Sequence, residues 1–136
     1  MTTTFKGENF RKQLEKAYKE KVEGRASDAM RQYAADAFGQ IIQNTPVDKG
    51  RAKNNWNISL NSVDPSITDA ANPNRAGTNE AISATLNLKL NDTVFISNNL
   101  PYIQRLNDGY SLQAPENFVE SAVQVAENRL RERLKK

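Results

Sequence analysis

From Phe10 onward, apolar side chains recur at Leu14, Ala17, Tyr18, Val22, Ala26, Ala29, Met30, Tyr33, Ala34, Ala37, Phe38, Ile41 and Ile42. Steps of three and four gather these positions on one stripe of a helix. The spacing therefore predicts a long N-terminal amphipathic helix. Its other face pairs Glu8 with Lys12, Glu15 with Lys19 and Lys16 with Glu20 at i,i+4, the arrangement of a solvated surface laced by weak ion pairs. Gly24 lies within the stripe, and glycine costs a helix about 1 kcal/mol relative to alanine, so a kink or break is expected near Glu23 to Ser27 even though the stripe keeps its phase. Asn44-Thr45-Pro46 ends the helix, because proline disfavours helical geometry in the residue before it.

Asp48 is placed to cap a short helical turn running through Asn54. Trp56, Ile58 and Leu60 then alternate with Asn57, Ser59 and Asn61, as in a half-buried strand. Residues 61–78 hold two prolines, Gly77 and several Asn, Asp and Ser, a composition that buries little and reads as a long loop, either mobile or ordered against a neighbour. Thr78 and Glu80 open a short helix bearing Ala81, Ile82, Thr85, Leu86 and Leu90. A strand from Ile82 to Leu90 competes with it, since Ile82, Ala84, Leu86, Leu88 and Leu90 also alternate. Thr93 to Ser97 is the strongest strand, β-branched and aromatic between Asn91-Asp92 and Asn98-Asn99, and is expected at the centre of the sheet. Pro101 begins a short helix through Leu106 that Asn107-Asp108-Gly109 stops, and Pro115 begins the last helix. That helix carries Phe118, Val119, Ala122, Val123, Ala126, Leu130 and Leu134 on one face. Its basic end, Arg129, Arg131, Arg133, Lys135 and Lys136, suits the negative pole of the helix dipole.

The pattern amounts to an α+β chain: a long N-terminal helix and a C-terminal helix packed on a small, mostly antiparallel β-sheet, with a long variable loop at 61–78. Its 136 residues suit one domain, 1–136. No apolar run approaches the roughly 20 residues needed to span a bilayer, and the polar start, Met-Thr-Thr-Thr-Phe-Lys-Gly-Glu, lacks the apolar core of a signal peptide, so a cytoplasmic site of synthesis is expected and no membrane partner.

Composition narrows the chemistry. The chain has no cysteine and no histidine, which removes disulfides and the usual zinc, copper and iron ligand sets and leaves only a hard, oxygen-ligated ion conceivable. Serine and cysteine triads lack their imidazole. The six glycines, Gly7, Gly24, Gly39, Gly50, Gly77 and Gly109, never cluster into a phosphate-cradling loop. A paired-carboxylate hydrolase is formally open with 16 acids, but no spacing singles out a pair. These exclusions predict a non-enzyme with no metal and no cofactor. Against those acids stand 19 bases, a small excess spread along the chain.

Two segments are placed like punctuation, with too little apolar content to be core. One is Thr45-Pro46-Val47-Asp48-Lys49-Gly50-Arg51, followed shortly by Trp56. The other is Ser97-Asn98-Asn99-Leu100-Pro101-Tyr102, then Asn107-Asp108-Gly109-Tyr110-Ser111, then Gln113-Ala114-Pro115. In this order, after a long charged helix, they resemble the neck and tail-completion proteins of tailed bacteriophages, the family that includes minor tail protein Z of lambdoid phages. The resemblance runs from about Phe10 to Leu134 apart from the loop. It departs from the family pattern at Lys49, where Thr or Ser is usual.

The resemblance implies a structural virion protein of the neck, made in the host cytoplasm, that forms a ring with itself, a hexamer by analogy, and joins the head to the tail. Its implied partners are other neck, connector and tail-terminator or tail-tube proteins, with double-stranded DNA passing nonspecifically through the lumen. The residues alone support a structural role. Pro46, Asp48 and Gly50 are suited to set the angle between helix and sheet, Asn98 and Asn99 to satisfy backbone groups where the strand turns, and Tyr102 to present a ring with a polar tip. For Arg129, Arg131, Arg133, Lys135 and Lys136, contacts to a neighbouring ring or to channel DNA compete with a plain solvated face. Deleting the loop is expected to leave a folded subunit that fails in joining. A small nucleic-acid-binding module is the alternative, supported by the basic last turn but by no helix-turn-helix, RRM-like motif or dense basic stripe.

Overall fold

The structure is a computed structural model that describes residues 1–9, 12, 23–109 and 116–135. Three strands, β1 (Thr2–Lys6), β2 (Trp56–Leu60) and β3 (Thr93–Asn98), form a sheet in the order β1-β3-β2, antiparallel throughout. Among the described residues these helices accompany them: α1 (Glu23–Asn44), α2 (Arg51–Asn54), α3 (Thr78–Ala84), α4 (Ile103–Asn107) and α5 (Phe118–Leu134), and Gly7 to Asn9 and Lys12 are helical as well. The expected α+β architecture is present, and β3 is the central strand.

Register explains the layering. Phe5 and Leu60 flank Val94, and Ile58 and Thr3 flank Ile96, so one face of the sheet is apolar and meets the helices. Thr2, Thr4, Asn57, Ser59, Phe95 and Ser97 occupy the other face. Over the apolar face, α1 packs against α5. Ala34, Ala37, Ala122 and Ala126 are buried where these helices contribute to the core, and small side chains there allow close approach. Phe38, Ile41, Ile42, Trp56, Ile96, Ile103 and Phe118 fill the remaining space. Each such side chain contributes about 1.5–3 kcal/mol on burial.

Several expectations need correction. β1 has no counterpart in the sequence reading, because Thr-Thr-Thr-Phe-Lys offers one large apolar residue and gains its burial from pairing with β3. No break appears at Glu23 to Ser27: α1 is continuous from Glu23 through Gly24, carried by its buried stripe. The part of the predicted helix from Phe10 to Val22 lies outside the described residues except for helical Lys12, which pairs with Glu8 at 3.7 Å. Ile82 to Leu90 is helix and turn, the strand reading losing because the buried positions, Ala81, Thr85 and Leu88, are spaced four and three apart while Ile82 and Leu86 are exposed. The last helix begins at Phe118 after Asn117 in a left-handed conformation, and Tyr110 to Pro115 lies outside the described residues.

The largest correction concerns the loop. Residues 61–77 contain no regular element, yet they are tied down along their length as a strap. Asn61 bonds to Thr93 at both its amide (2.8 Å) and its side chain (2.9 Å). The carbonyl of Asp64 accepts bonds from Asn57 (3.4 Å), Ser97 (3.3 Å) and Asn99 (2.9 Å), which lays the strap across the polar face of the sheet. That cover explains why Ser97, a polar residue on an outer face, is fully buried. The strap is polar in composition because its cohesion comes from hydrogen bonds rather than from apolar burial.

Candidate functional site

The two punctuated segments meet the strap around the α1–β2 junction. At the end of α1, the Thr45 hydroxyl donates to the Ile41 carbonyl (2.7 Å) and accepts the indole N–H of Trp56 (2.9 Å). The helix end is thereby locked to the first residue of β2. Pro46 is buried beside it, Val47 half-buried, and Asp48 and Lys49 project to solvent. Asp48 does not cap α2, contrary to the expectation from the sequence. Instead Gly50 is the N-cap, at φ +93° in a left-handed conformation that glycine adopts without steric cost, and no side chain caps the helix.

Gly50 also brings the strap in. Its carbonyl accepts the amides of Asn54 and Asn72, both at 3.1 Å, and a Cβ here would lie 2.4 Å from Pro73 N. Arg51 reaches Asp69 at 2.9 Å and the Thr68 carbonyl at 3.4 Å. Buried Asn55 exchanges bonds with Thr68 in both directions, each at 2.9 Å, mimicking a strand pair with one side chain.

The strap then turns back toward α1 at Arg75, which sequence reasoning missed. Its guanidinium donates to the carbonyls of Lys53 (3.1 Å) and Trp56 (2.9 Å), forks onto the Glu80 carboxylate, and lies 5.5 Å from the Phe38 ring centroid. The hydrogen bond from Arg75 holds the Glu80 carboxyl below its ordinary range, against a smaller opposing effect of burial. An isolated arginine in a polar loop carries no periodic signal, so nothing in the pattern marked it.

At the far end of β3, Asn98 is wholly buried. Its side chain donates to the Ala52 carbonyl (3.0 Å) and accepts the Leu100 amide (3.1 Å), while Asn99 reaches back to the strap. Pro101 is exposed in the turn, and Tyr102 is half-buried against the core just before α4. Gly109, at φ +94°, stops α4, its amide bonding to Leu106 at 3.3 Å. Asn107, assigned from sequence only as part of that stop, is buried and holds the start of α5. Its Oδ1 accepts the Val119 amide (2.9 Å) and its Nδ2 donates to Glu120 (2.9 Å). Ala114 and Pro115 lie outside the described residues.

The structure divides the basic end of α5. Arg129 and Arg133 converge on Asp36 of α1 at 4.0 Å and 2.6 Å, whereas Arg131 pairs with Glu127 and Lys135 with Glu132 along the helix. All four remain partly exposed, and Lys136 lies outside the described residues. Burial raises the pKa of Tyr33, with the nearby Glu127 charge adding to it and Arg131 opposing.

Two open grooves flank this area. One, of about 290 Å³, lies between α1, Arg75 and Arg129, and the other, of about 340 Å³, between α1, Ile82 and Arg133. Asp36 and Thr78 line both. Among the described residues no group of three or more acids could hold a metal ion, and no helix is long and apolar enough to cross a membrane. Asn55, Arg75, Asn98 and Asn107 each join backbone segments distant in the chain.

The chain matches no curated protein and no solved structure. A family described as "Bacteriophage HK97-gp10, putative tail-component" matches residues 8–109. That span contains α1 to α4, β2, β3, the whole strap and most of both punctuated segments. Covering well over half of the chain, the match agrees with the resemblance read from the motifs, and the chain belongs to the HK97-gp10-like family of bacteriophage structural tail components.

Proposed function

We propose that this chain is a single-domain neck or tail-completion subunit that forms a closed ring where head meets tail. By analogy with the proteins its motifs resemble, the ring is a hexamer, assembled in the host cytoplasm and placed between the connector and the tail-terminator or tail-tube proteins. Double-stranded DNA passes through the lumen, touched only electrostatically and without sequence preference. The observation that carries this reading is the family match across strap, sheet and motif segments.

The geometry supports a passive role. Thr45, Pro46, Gly50, Trp56 and Asn98 are interior joints, so they set the subunit's shape, and contacts to neighbours fall to the surface of the strap, α3 and α5. Arg129, Arg131, Arg133 and Lys135 remain the candidates for an adjacent ring or channel DNA, although phosphate must compete with their present acid partners. That competition weighs against a free nucleic-acid module.

Light scattering and negative-stain imaging of the purified chain, alone and mixed with tailless heads or headless tails of the parent phage, test the proposal. A ring, or incorporation at the head–tail joint, is expected. A stable monomer that ignores both particles and binds DNA with a steep salt slope would overturn it.

A further inference from the structure

From Ser62 to Asn74 every residue of the strap is exposed except Asp64, which is half-buried, so this stretch adds no apolar side chain to the core. What holds it is a row of body side chains that read its backbone. The carbonyls taken belong to alternate residues, Asp64, Ser66, Thr68 and Ala70, as on an extended chain. Asn57 and Asn99 each donate to both Asp64 and Ser66, Ser97 adds a bond to Asp64, Asn55 and Arg51 reach Thr68, and Asn54 reaches Ala70 at 3.0 Å. Lys53 takes the Pro73 carbonyl at 3.2 Å. Among the described residues a single backbone pair, Asn72 to Gly50, ties residues 62–74 to the body. The two ends are fixed more firmly. Asn61, at φ +65°, is bonded to Thr93 through backbone and side chain and to Asp92 at 3.1 Å. Arg75 holds two carbonyls and Glu80 with only 10% of its side chain exposed.

We propose that residues 62–74 form a clasp that opens as one unit between fixed ends at Asn61 and Arg75 while the sheet and helices stay folded. Each bond lost joins a polar side chain to a carbonyl of an exposed segment, and water can take the place of either partner. Opening therefore forfeits hydrogen bonds but little of the apolar burial that holds α1 and α5 over the sheet, and its free energy lies below that of global unfolding. The bonds are also shared. Asn57 and Asn99 each span Asp64 and Ser66, and Asn55 grips Thr68 at both its amide and its carbonyl, so release at one residue loosens the next. Opening frees the side chains of Asn55, Asn57, Ser97 and Asn99, and the clasp thereby controls access to a surface shaped to bind extended backbone. The inference stands independently of ring formation.

Native-state hydrogen exchange of the full-length chain tests it, read at single amides by NMR. Two strap amides bonded to the body report the opening: Thr68, held by Asn55 at 2.9 Å, and Asn72, held by Gly50 at 3.1 Å. The expected result is one protection factor shared by both, little changed by low urea and roughly a hundredfold or more below that of the ladder amides of β3. Protection at both equal to that of β3 would mean that the strap leaves only when the whole subunit unfolds, and would overturn the inference. Protection that differs widely between the two, or is absent from both, would overturn it as well, since there would be no single closed unit. Asn99→Ala supplies an independent measurement. It removes a grip on Asp64 and Ser66, and exchange at Thr68 and at the more distant Asn72 should accelerate together, by about fivefold, with β3 unchanged. A response at Thr68 alone, no response at either, or equal acceleration in β3 would each overturn the inference.

Discussion

Thr45 and Trp56 meet through one hydrogen bond, indole N–H to hydroxyl at 2.9 Å, in a place where neither residue keeps more than 2% of its surface exposed. The same hydroxyl donates to Ile41 in the last turn of α1, so a single oxygen joins the helix, the turn and the sheet. Thr45→Val preserves shape and removes the acceptor, leaving a buried indole N–H unpaired. A loss of about 1–3 kcal/mol is expected by urea denaturation. Thr45→Ser, which keeps the hydroxyl, should lose less.

Gly50 controls how the strap lies on the body. Alanine there is strained at φ +93° and meets Pro73 backbone at 2.4 Å, a contact that no side-chain rotation relieves. Gly50→Ala is expected to cost about 1–3 kcal/mol and to displace the strap, seen as faster proteolysis between residues 61 and 77. Deleting the strap outright, which the sequence alone suggested would leave the fold untouched, should destabilise the subunit, since Asn55, Ser97 and the Trp56 carbonyl lose their partners. A folded deletion variant would show that these bonds are dispensable.

The Arg75–Glu80 pair sets an acid limit. Glu80 has its pKa lowered in the folded state, so the stabilisation it provides is present above the ordinary value of 4.5 and is lost as pH falls below that value toward its folded pKa. Glu80→Gln should flatten that part of the stability curve, measured by urea midpoints at stepped pH. Arg75→Met should do the same and also weaken the fold at neutral pH by about 1–3 kcal/mol, because two partly buried carbonyls lose their donor.

Asn107 fastens α5. Asn107→Leu leaves the Val119 amide without its acceptor, and a loss of about 2 kcal/mol is expected. Hydrogen exchange at the first turn of α5 should accelerate by more than exchange in β3. Uniform acceleration would mean that the helix start is not held locally.

Asp36 restrains Arg129 and Arg133. Asp36→Asn frees both guanidinium groups, and the salt slope of nonspecific DNA association is expected to steepen by about one to two. An unchanged slope would remove this end of α5 from consideration as a DNA-facing surface.

Helical stripes and strand alternation were readable because they repeat every few residues and depend on neighbours close in the chain. The stripe through Met30, Phe38 and Ile42 and the run Thr93 to Ser97 each lie where periodicity puts them, and Gly109 stops its helix as its conformational freedom suggests. Asn98 and Gly50 stood out as punctuation, and both are interior joints. The pattern was silent on β1, whose burial comes from pairing with residues some 90 positions away, and it assigned Asp48 a capping role at a helix whose N-cap is Gly50.

By itself, then, the sequence determined the α+β architecture, the helical and strand faces that must be buried, the lack of thiol and imidazole chemistry, and the phage family its motifs resemble. Only the tertiary structure decided that residues 61–77 form an ordered strap, that Arg75, Asn55 and Asn107 are its and α5's fastenings, and that the basic residues of α5 are shared out among acids. The physical reason is range. Apolar burial leaves a local, periodic trace in a sequence, whereas a polar side chain satisfies whichever backbone group folding brings within 3 Å, and that partner has no fixed distance along the chain.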